Sequence, residues 1–395
     1  MKTAIQQLDY VHTGPETLAG RYLRTFWQPV YRAADLPAGQ AVPIQIMSER
    51  FTLYRGASPQ GGGEGRPHLV DLRCAHRGTQ LAIGWVEDDC IRCRYHGWMY
   101  DGSGQCVEQP GEDPAFAARV QIRTFPVQDY VGLIFAYLGE GEPPPLPRYP
   151  EFEDEGVLDV YPPEYWPCNY FNRIDNAPDL GHVHFAHRDS REAAGTTTGI
   201  GRVFAQETDY GVMTGMEIPG RQSSTVHYHM PNINQFVSRS DLKLRDPLSA
   251  SAQGKMSRLL IRVPVDDEHC VSFPIDHVSL TGEAGERYLA RRRGMEEAQL
   301  AASLSPEGMG ERILASQMTH AEVRERDPAN LKTLTSVEDY VVQCGQGPIA
   351  DHASERLGRM DAGITLIRAI WQRELRAFAE GRPRKQWLRT ERLPA

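Results

Sequence analysis

Two groups of residues in this chain have the types and spacing to hold metals. One is Asp179, His182 and His187, arranged D-x2-H-x4-H inside Asp175-Asn176-Ala177-Pro178-Asp179-Leu180-Gly181-His182-Val183-His184-Phe185-Ala186-His187. Imidazoles grouped with a carboxylate suit a ferrous centre that activates dioxygen, because two histidines and one acid on one face leave positions open. The other group lies upstream, Cys74-Ala75-His76 and Cys93-Arg94-Tyr95-His96, with sixteen residues between the two pieces. Two short loops, each with one thiolate and one imidazole, can hold a [2Fe–2S] cluster asymmetrically, the cysteines on one iron and the histidines on the other. Neutral imidazoles in place of thiolates remove negative charge and raise the reduction potential.

Both groups have plainer readings. Cys90-Ile91-Arg92-Cys93 makes a second spacing, so a zinc knuckle of Cys74, Cys90, Cys93 and a histidine competes for the first group. Cys90, Cys106, Cys168, Cys270 and Cys344 otherwise read as inert core or surface thiols. In the second group His184 is a decoy. On a helix it points about 200° away from His182, while His187 lies about 140° round. Asp179 has a structural alternative as the N-cap of a helix carrying His182.

The elements that must position these residues fall into two domains, since 395 residues exceed one small core. With 40% hydrophobic and 24% charged residues the composition is that of an ordinary globular protein. A net charge of -9 argues against a nucleic-acid surface, which would carry a basic stripe. The opening MKTAIQQLDYVHTG lacks the apolar region of a secretory signal, and no apolar run approaches the roughly 20 residues of a membrane span. Seven cysteines, an odd number, fit a reducing cytoplasm better than a disulfide framework.

Residues 1–40 read as a lead-in packing on the catalytic domain. From Val42 the pattern is β-like, interrupted by a glycine-rich loop over Gly56 to Pro67 and turned at Asp101-Gly102. Prolines and acids from Glu140 to Gly156 mark a linker, with the boundary near 143–152. The segment carrying His182 is a helix broken by Pro178. Residues 200–280 alternate like a large antiparallel sheet, and 283–335 are charged and helical or looped. The last helix sets Ile364, Ile367, Trp371, Leu375 and Phe378 on one face. The expected fold class is α+β, with a cluster domain over 41–148 and an iron domain over 149–395.

CAHRGTQL and CRYHGWMYDGSGQC resemble the Rieske domain of the Rieske non-haem iron ring-hydroxylating oxygenases, and DNAPDLGHVHFAH resembles that family's mononuclear-iron motif. The likeness runs from about Phe26-Trp27-Gln28-Pro29-Val30 to the final helix, with the motifs in the family's order. VPVDDEH and EDYVVQCGQGPIADHASERLG further resemble the phthalate-dioxygenase-like branch, whose members are usually α-only with a separate reductase. The resemblance implies an all-β Rieske domain followed by a catalytic domain whose antiparallel sheet is flanked by helices in a helix-grip, START-like arrangement. It implies Cys74, His76, Cys93 and His96 on the [2Fe–2S] cluster, and His182 and His187 on a mononuclear Fe(II). The third iron ligand falls in Val337-Glu338-Asp339-Tyr340-Val341, where Asp339 matches the family's acid and Glu338 is the neighbouring alternative. Asp179 matches the aspartate that links an iron-bound histidine to the cluster of a neighbouring subunit, which implies a head-to-tail trimer.

The implied reaction is that of a terminal oxygenase: electrons from an NAD(P)H-dependent reductase of flavin and iron–sulfur type pass through the cluster to the iron. Dioxygen is then used to dioxygenate an aromatic compound such as a substituted benzoate or phthalate. The runner-up within the class is a monooxygenase performing single hydroxylation or O- or N-demethylation, since one fold hosts several outcomes. A Rieske-type electron carrier would leave His182, His187 and Asp339 unexplained, and a zinc-binding module finds no basic surface to serve. Asn172, Asn176, His229 and Asn234 are candidate pocket residues. Arg202, Arg239 and Arg262 are candidates to pair with a substrate carboxylate, for which a guanidinium fork is suited.

Overall fold

The computed structural model describes residues 8–57, 65–193, 199–220, 224–238, 255–301, 305–326, 331–389 and 391–393. Most of the glycine-rich loop, and Arg239, lie outside the described residues. The chain divides into two units: His12–Pro147 with Val263–Asp266, and Met1–Val11 with Arg148–Arg262 and Asp267–Ala395. No helix among the described residues is long and apolar enough to cross a membrane.

In the first unit helix α1 (Leu18–Arg24) starts where the Thr17 hydroxyl accepts from the Gly20 N–H at 3.0 Å, satisfying one of the helix's orphan donors. Its strands are β1 (Gln28–Arg32), β2 (Ala41–Ile46), β3 (Glu49–Arg55), β4 (Pro67–Asp71), β5 (Trp85–Glu87) and β6 (Cys90–Arg92). There follow β7 (Met99–Tyr100), β8 (Cys106–Glu108), the short helix α2 (Pro114–Ala117), β9 (Thr124–Phe125), β10 (Val127–Tyr130) and β11 (Leu133–Ala136). They form three small antiparallel sheets, ordered β1-β11-β10, β2-β3-β4-β9 and β5-β6-β7-β8. Residues 12–40, expected as a lead-in on the catalytic domain, belong instead to this unit, because β1 completes a sheet with β11. The turn at Asp101 is as its sequence suggests: the carboxylate accepts from the Ser103 and Gln105 N–H groups at 2.9 and 3.1 Å. Tyr54, Val70, Leu81, Ile91, Trp98 and Tyr100 make one core with Cys74 and Cys93 inside it.

The second unit is built on eight described strands: β12 (Val157–Val160), β13 (Glu164–Trp166), β14 (Arg202–Glu207), β15 (Gly211–Glu217), β16 (Ser224–His229), β17 (Ile233–Ser238), β18 (Met256–Pro264) and β19 (Cys270–Val278). Their order is β12-β19-β18-β17-β16-β15-β14, with β13 also on β19. The helices are α3 (Tyr170–Asn176), α4 (Arg188–Ala193), α5 (Gly282–Ala301), α6 (Pro306–Leu314), α7 (His320–Arg326), α8 (Leu331–Cys344) and α9 (Ala362–Ala379). This is the large antiparallel sheet flanked by helices that the sequence suggests.

Strand alternation gives the sheet two different faces. On one, Tyr228 accepts from the Trp371 indole at 2.9 Å, so α9 covers that face, and Ile364, Ile367, Trp371 and Leu375 are all buried there while Phe378 is half-buried. On the other, Gln235 donates to Glu151 and Ser257 at 2.9 Å, and Glu151 accepts from Arg389 at 2.7 Å, tying the C-terminal segment down.

Candidate metal centres

The two loops of the first unit repeat one design. In each, a glycine four residues after the cysteine returns its N–H to the cysteine carbonyl: Gly78 to Cys74 and Gly97 to Cys93, both at 3.0 Å. Both glycines sit at φ +75°, a left-handed conformation that a Cβ would strain. The loops leave both cysteines buried and both histidines exposed, with the imidazole centroids 4.5 Å apart. His76 also stacks on Trp98 at 4.5 Å. The Tyr100 hydroxyl lies 3.2 Å from Cys74 Sγ and accepts from the Ala75 N–H at the same distance. Burial, and then the adjoining Cys93, push the Cys74 thiol up; a cation at the sulfurs would reverse that. A dry pair of thiols beneath an open pair of imidazoles fits an asymmetric iron–sulfur cluster. Cys90 is elsewhere, with Asp89 and Asp101 as its charged neighbours, and its thiol is pushed up by burial first.

In the second unit α3 ends at Asn176, ahead of Pro178, and a single tight turn over His182–His184 follows. Pro178 cannot donate to a helix, so the ligand-bearing stretch is irregular, as its sequence implies. His182 Nε2 lies 3.9 Å and His187 Nε2 3.6 Å from Asp339 Oδ1, and ligand atoms of all three lie within 4.8 Å of one another. An ion with bonds of about 2.1 Å would need only a small contraction of this set.

Both imidazoles are held by their far nitrogen. His182 Nδ1 donates to the Asp179 main-chain carbonyl, and His187 Nδ1 donates to Glu338 Oε2 at 3.0 Å. A carbonyl and a carboxylate can only accept, so Nδ1 carries the proton and each Nε2 keeps its lone pair for a metal. Burial lowers the His182 pKa, with His187 adding to the effect, which favours the neutral ligand. At His187 burial is opposed by the Glu338 hydrogen bond and by the charges of Asp339 and Glu338, and the net shift is upward.

Residues 26–128 match the Rieske [2Fe-2S] domain family. The chain is 28% identical to the 5,5'-dehydrodivanillate O-demethylase oxygenase subunit of Sphingobium sp., over 98% of this chain and 84% of the relative. It is 29% identical to phenoxybenzoate dioxygenase subunit alpha of Ectopseudomonas oleovorans, over 95% and 85%. The chain belongs to the Rieske-type ring-hydroxylating oxygenases, as a terminal oxygenase subunit. In fold the oxygenase is similar to dicamba monooxygenase bound to dicamba, with TM-score 0.60 at 19% identity, covering 91% of this chain and 99% of that one. It is likewise similar to the terminal oxygenase of carbazole 1,9a-dioxygenase from Nocardioides aromaticivorans IC177, with TM-score 0.62 at 18% identity, covering 90% and 97%.

Several residues of the oxygenase have jobs that their spacing did not reveal. Glu338 is almost wholly buried, with Oε2 on His187 and Oε1 accepting from the Ser190 N–H at 3.0 Å. Neighbours on α8, Glu338 and Asp339 thus grip the two ends of one imidazole. Asp339 Oδ1 also accepts from Asn176 at 3.1 Å and from Gln343 at 3.0 Å, and Gln343 accepts from Arg173 at 2.7 Å. The Asp179 carboxylate accepts from the Gly181 and His182 N–H groups at 3.0 and 3.2 Å. Its side chain is thus bonded to the main chain just ahead of the turn, whose N-cap position is Gly181, and its main chain touches the imidazole.

Of the pocket candidates, only Asn176 touches the triad. Asn172 is buried and holds the 347–350 loop, donating to Gly347 and accepting from Ala350 at 3.1 and 3.2 Å. His229 lies on the sheet face opposite Tyr228, stacked on Tyr210 at 4.6 Å, and burial pulls it down to about 3; it is a neutral packing residue. Asn234 accepts from Arg262 at 2.7 Å. Arg202 is exposed at a sheet edge. Cys168, Cys270 and Cys344, read as separate thiols, adjoin one another around Cys168; hydrogen bonds from the other two, helped by Arg173 and Arg262, draw Cys168 down to about 4.

Proposed function

We propose that His182, His187 and Asp339 hold a mononuclear Fe(II), and that Cys74, Cys93, His76 and His96 hold the [2Fe–2S] cluster. The cluster domain is assigned to 41–148, all but Arg148 within the unit that also takes in residues 12–40, and the catalytic domain to 149–395 apart from Val263–Asp266. The observation that carries the reading is the locked pair of imidazoles, each with Nδ1 spent on an acceptor and Nε2 turned to Asp339 Oδ1. Two imidazoles and one carboxylate leave an iron with open positions, and such an iron supplies oxygen activation. The chain's own residues do the rest: Glu338 and the Asp179 carbonyl fix the rings, and Asn176 and Gln343 fix the acid.

The substrate in this reading is an aromatic compound of the substituted benzoate or phthalate kind, dioxygenated by a cytoplasmic enzyme. Electrons come from a separate NAD(P)H-dependent reductase of flavin and iron–sulfur type. A head-to-tail homotrimer brings one subunit's cluster beside the next subunit's iron, with Asp179 between them. A relative named a phenoxybenzoate dioxygenase supports the acid class. A relative named an O-demethylase supports the second reading, removal of a methyl group or single hydroxylation by the same iron.

The test is single turnover of the reduced protein with ¹⁸O₂ and a panel of benzoates, phthalates and aryl methyl ethers, read by mass spectrometry. Two labelled atoms in one product mean dioxygenation. One labelled atom, or formaldehyde from an ether, means monooxygenation or demethylation. Protein that carries no iron beyond its cluster would sink the assignment of the triad.

A further inference from the structure

Half-buried arginines in the second unit are matched by acids, and the buried Arg173 stands 3.7 Å from Glu164; Arg262 is the exception. Arg258 donates to Asp276 at 2.5 and 2.6 Å, Arg292 to Asp159 at 2.8 Å, Arg368 to Asp175 at 3.1 Å and Arg389 to Glu151 at 2.7 Å. Arg262 is 2% exposed, and its only hydrogen bonds among the described residues leave from Nη1, to Asn234 Oδ1 at 2.7 Å and weakly to the Leu260 carbonyl at 3.5 Å. Its Nε is buried without a partner, as is Asn234 Nδ2. No described carboxylate lies within ion-pair distance of it. Burial, with the charge of Arg173, brings its pKa down to about 9, so at neutral pH it is still a cation.

Its position is as informative as its charge. Asn234 and Phe236 are two apart on β17 and share a face of the sheet. Phe236 packs against the cluster that holds Met216, Val226, Ala177 and Leu180, and the last two bracket Pro178 and Asp179 just ahead of His182. Leu260, paired with Asn234, is half-buried, and Arg262 follows two residues later on β18. Arg262 therefore sits on the face that the histidine-bearing segment covers, near enough for Asp339 to be among the charges it feels. A guanidinium out of water without a counter-ion is costly, and one held in that state beside a reaction centre is ready for an anion that arrives later.

We propose that Arg262, positioned by Asn234, is the carboxylate-binding residue of the substrate pocket, so that this oxygenase takes aryl carboxylates in preference to neutral arenes. The proposal rests on the oxygenase reading above and deepens it. The fork of Nε and Nη2 suits two carboxylate oxygens, and the anchored acid would fix which ring edge faces the triad. The thiol pair Cys168 and Cys270 is the rival counter-charge, since Arg262 contributes to drawing the Cys168 thiol down and Cys270 is the first of the charges that hold Arg262 up; no hydrogen bond among the described residues joins Arg262 to either.

The experiment is calorimetric binding to the oxidised, iron-loaded holoenzyme without reductant. Matched pairs are compared: 4-methoxybenzoate with 4-methoxybenzamide, phthalate with phthalamide, and 3-phenoxybenzoate with its amide. Wild type should prefer the binding acids over their amides by about tenfold or more. Arg262→Gln should weaken acid binding on the order of 100-fold and leave amides nearly unchanged, with Arg262→Lys in between. The unliganded Arg262→Gln protein should melt no lower than wild type, because a buried unmatched charge has gone. Amides binding as well as acids, or no acid binding at all, overturns the proposal. A fall in melting temperature with the acid-to-amide ratio unchanged would give Arg262 to the thiol cluster and overturn it too. Acid binding that depends on Arg262 while ¹⁸O₂ yields no product supports this assignment and counts against the proposed reaction instead.

Discussion

In the first unit the four candidate ligands come from two loops of one design, and the imidazoles stand in the open. In the second, the candidates come from an irregular turn and from α8, and the far nitrogen of each imidazole and Oδ1 of the acid are tied to the protein. An electron-transfer centre has to be approached, so exposed histidines serve it. A centre that activates dioxygen has to be closed and rigid, so buried acceptors serve that one. Under the proposed assignment, the difference in burial and in supporting hydrogen bonds follows the difference in task.

That contrast can be broken most sharply at the ligands. His182→Ala or Asp339→Ala should bring turnover to background while the visible absorption of the cluster survives, as read by spectrum and oxygen uptake; bleaching in either variant would join the two centres that are separated here. Glu338→Gln comes next. A glutamine accepting from His187 turns its NH2 toward the Ser190 N–H, so metal affinity should fall about 10–100-fold in an iron titration. An unchanged affinity would mean that the imidazole needs no such grip.

Asp179→Asn sharpens the comparison from the side of electron transfer. An asparagine oxygen can still bond the turn, so both metals and the melting temperature should hold while turnover drops by about 100-fold, the lower end of what a positioned ionisable group contributes. Normal turnover would reduce Asp179 to its bonds with the turn. Gly97→Ala tests the loops of the first unit. It places a Cβ at φ +75° and 3.1 Å from Pro110, which should cost about 1–2 kcal/mol in a melt followed by cluster absorption. Least of all should come from Cys90→Ser, whose cluster content should match wild type; a colourless protein would revive the zinc-like alternative.

How much of this was legible beforehand depends on distance along the chain. Cys74, His76, Cys93 and His96 announce themselves because loop ligands lie close in sequence. Asp339 could be named only through family resemblance, since 163 positions separate it from Asn176, the side chain that bonds it. Glu338 was visible only as a rival to Asp339. Two adjacent acids on a helix point apart, and what the second one reached depended on where His187 would lie. His229 shows the limit of strand patterning. Alternation puts His227 and His229 opposite Tyr228, yet nothing local says which face the helices will cover. The thiol trio is hidden for the same reason, being assembled from β19, α8 and the loop after β13.

The 151 positions between His187 and Glu338 also set a timetable for synthesis. At roughly 5–20 residues per second the acids of α8 follow the imidazole by on the order of ten to thirty seconds. The loops of the first unit are completed within a few seconds of each other. A growing chain can therefore finish its cluster pocket while still on the ribosome, whereas its histidine pair waits, without its acid, until most of the protein has been made. Translation itself thus completes the two candidate ligand sets in order, the paired loops first and the histidine–acid set last.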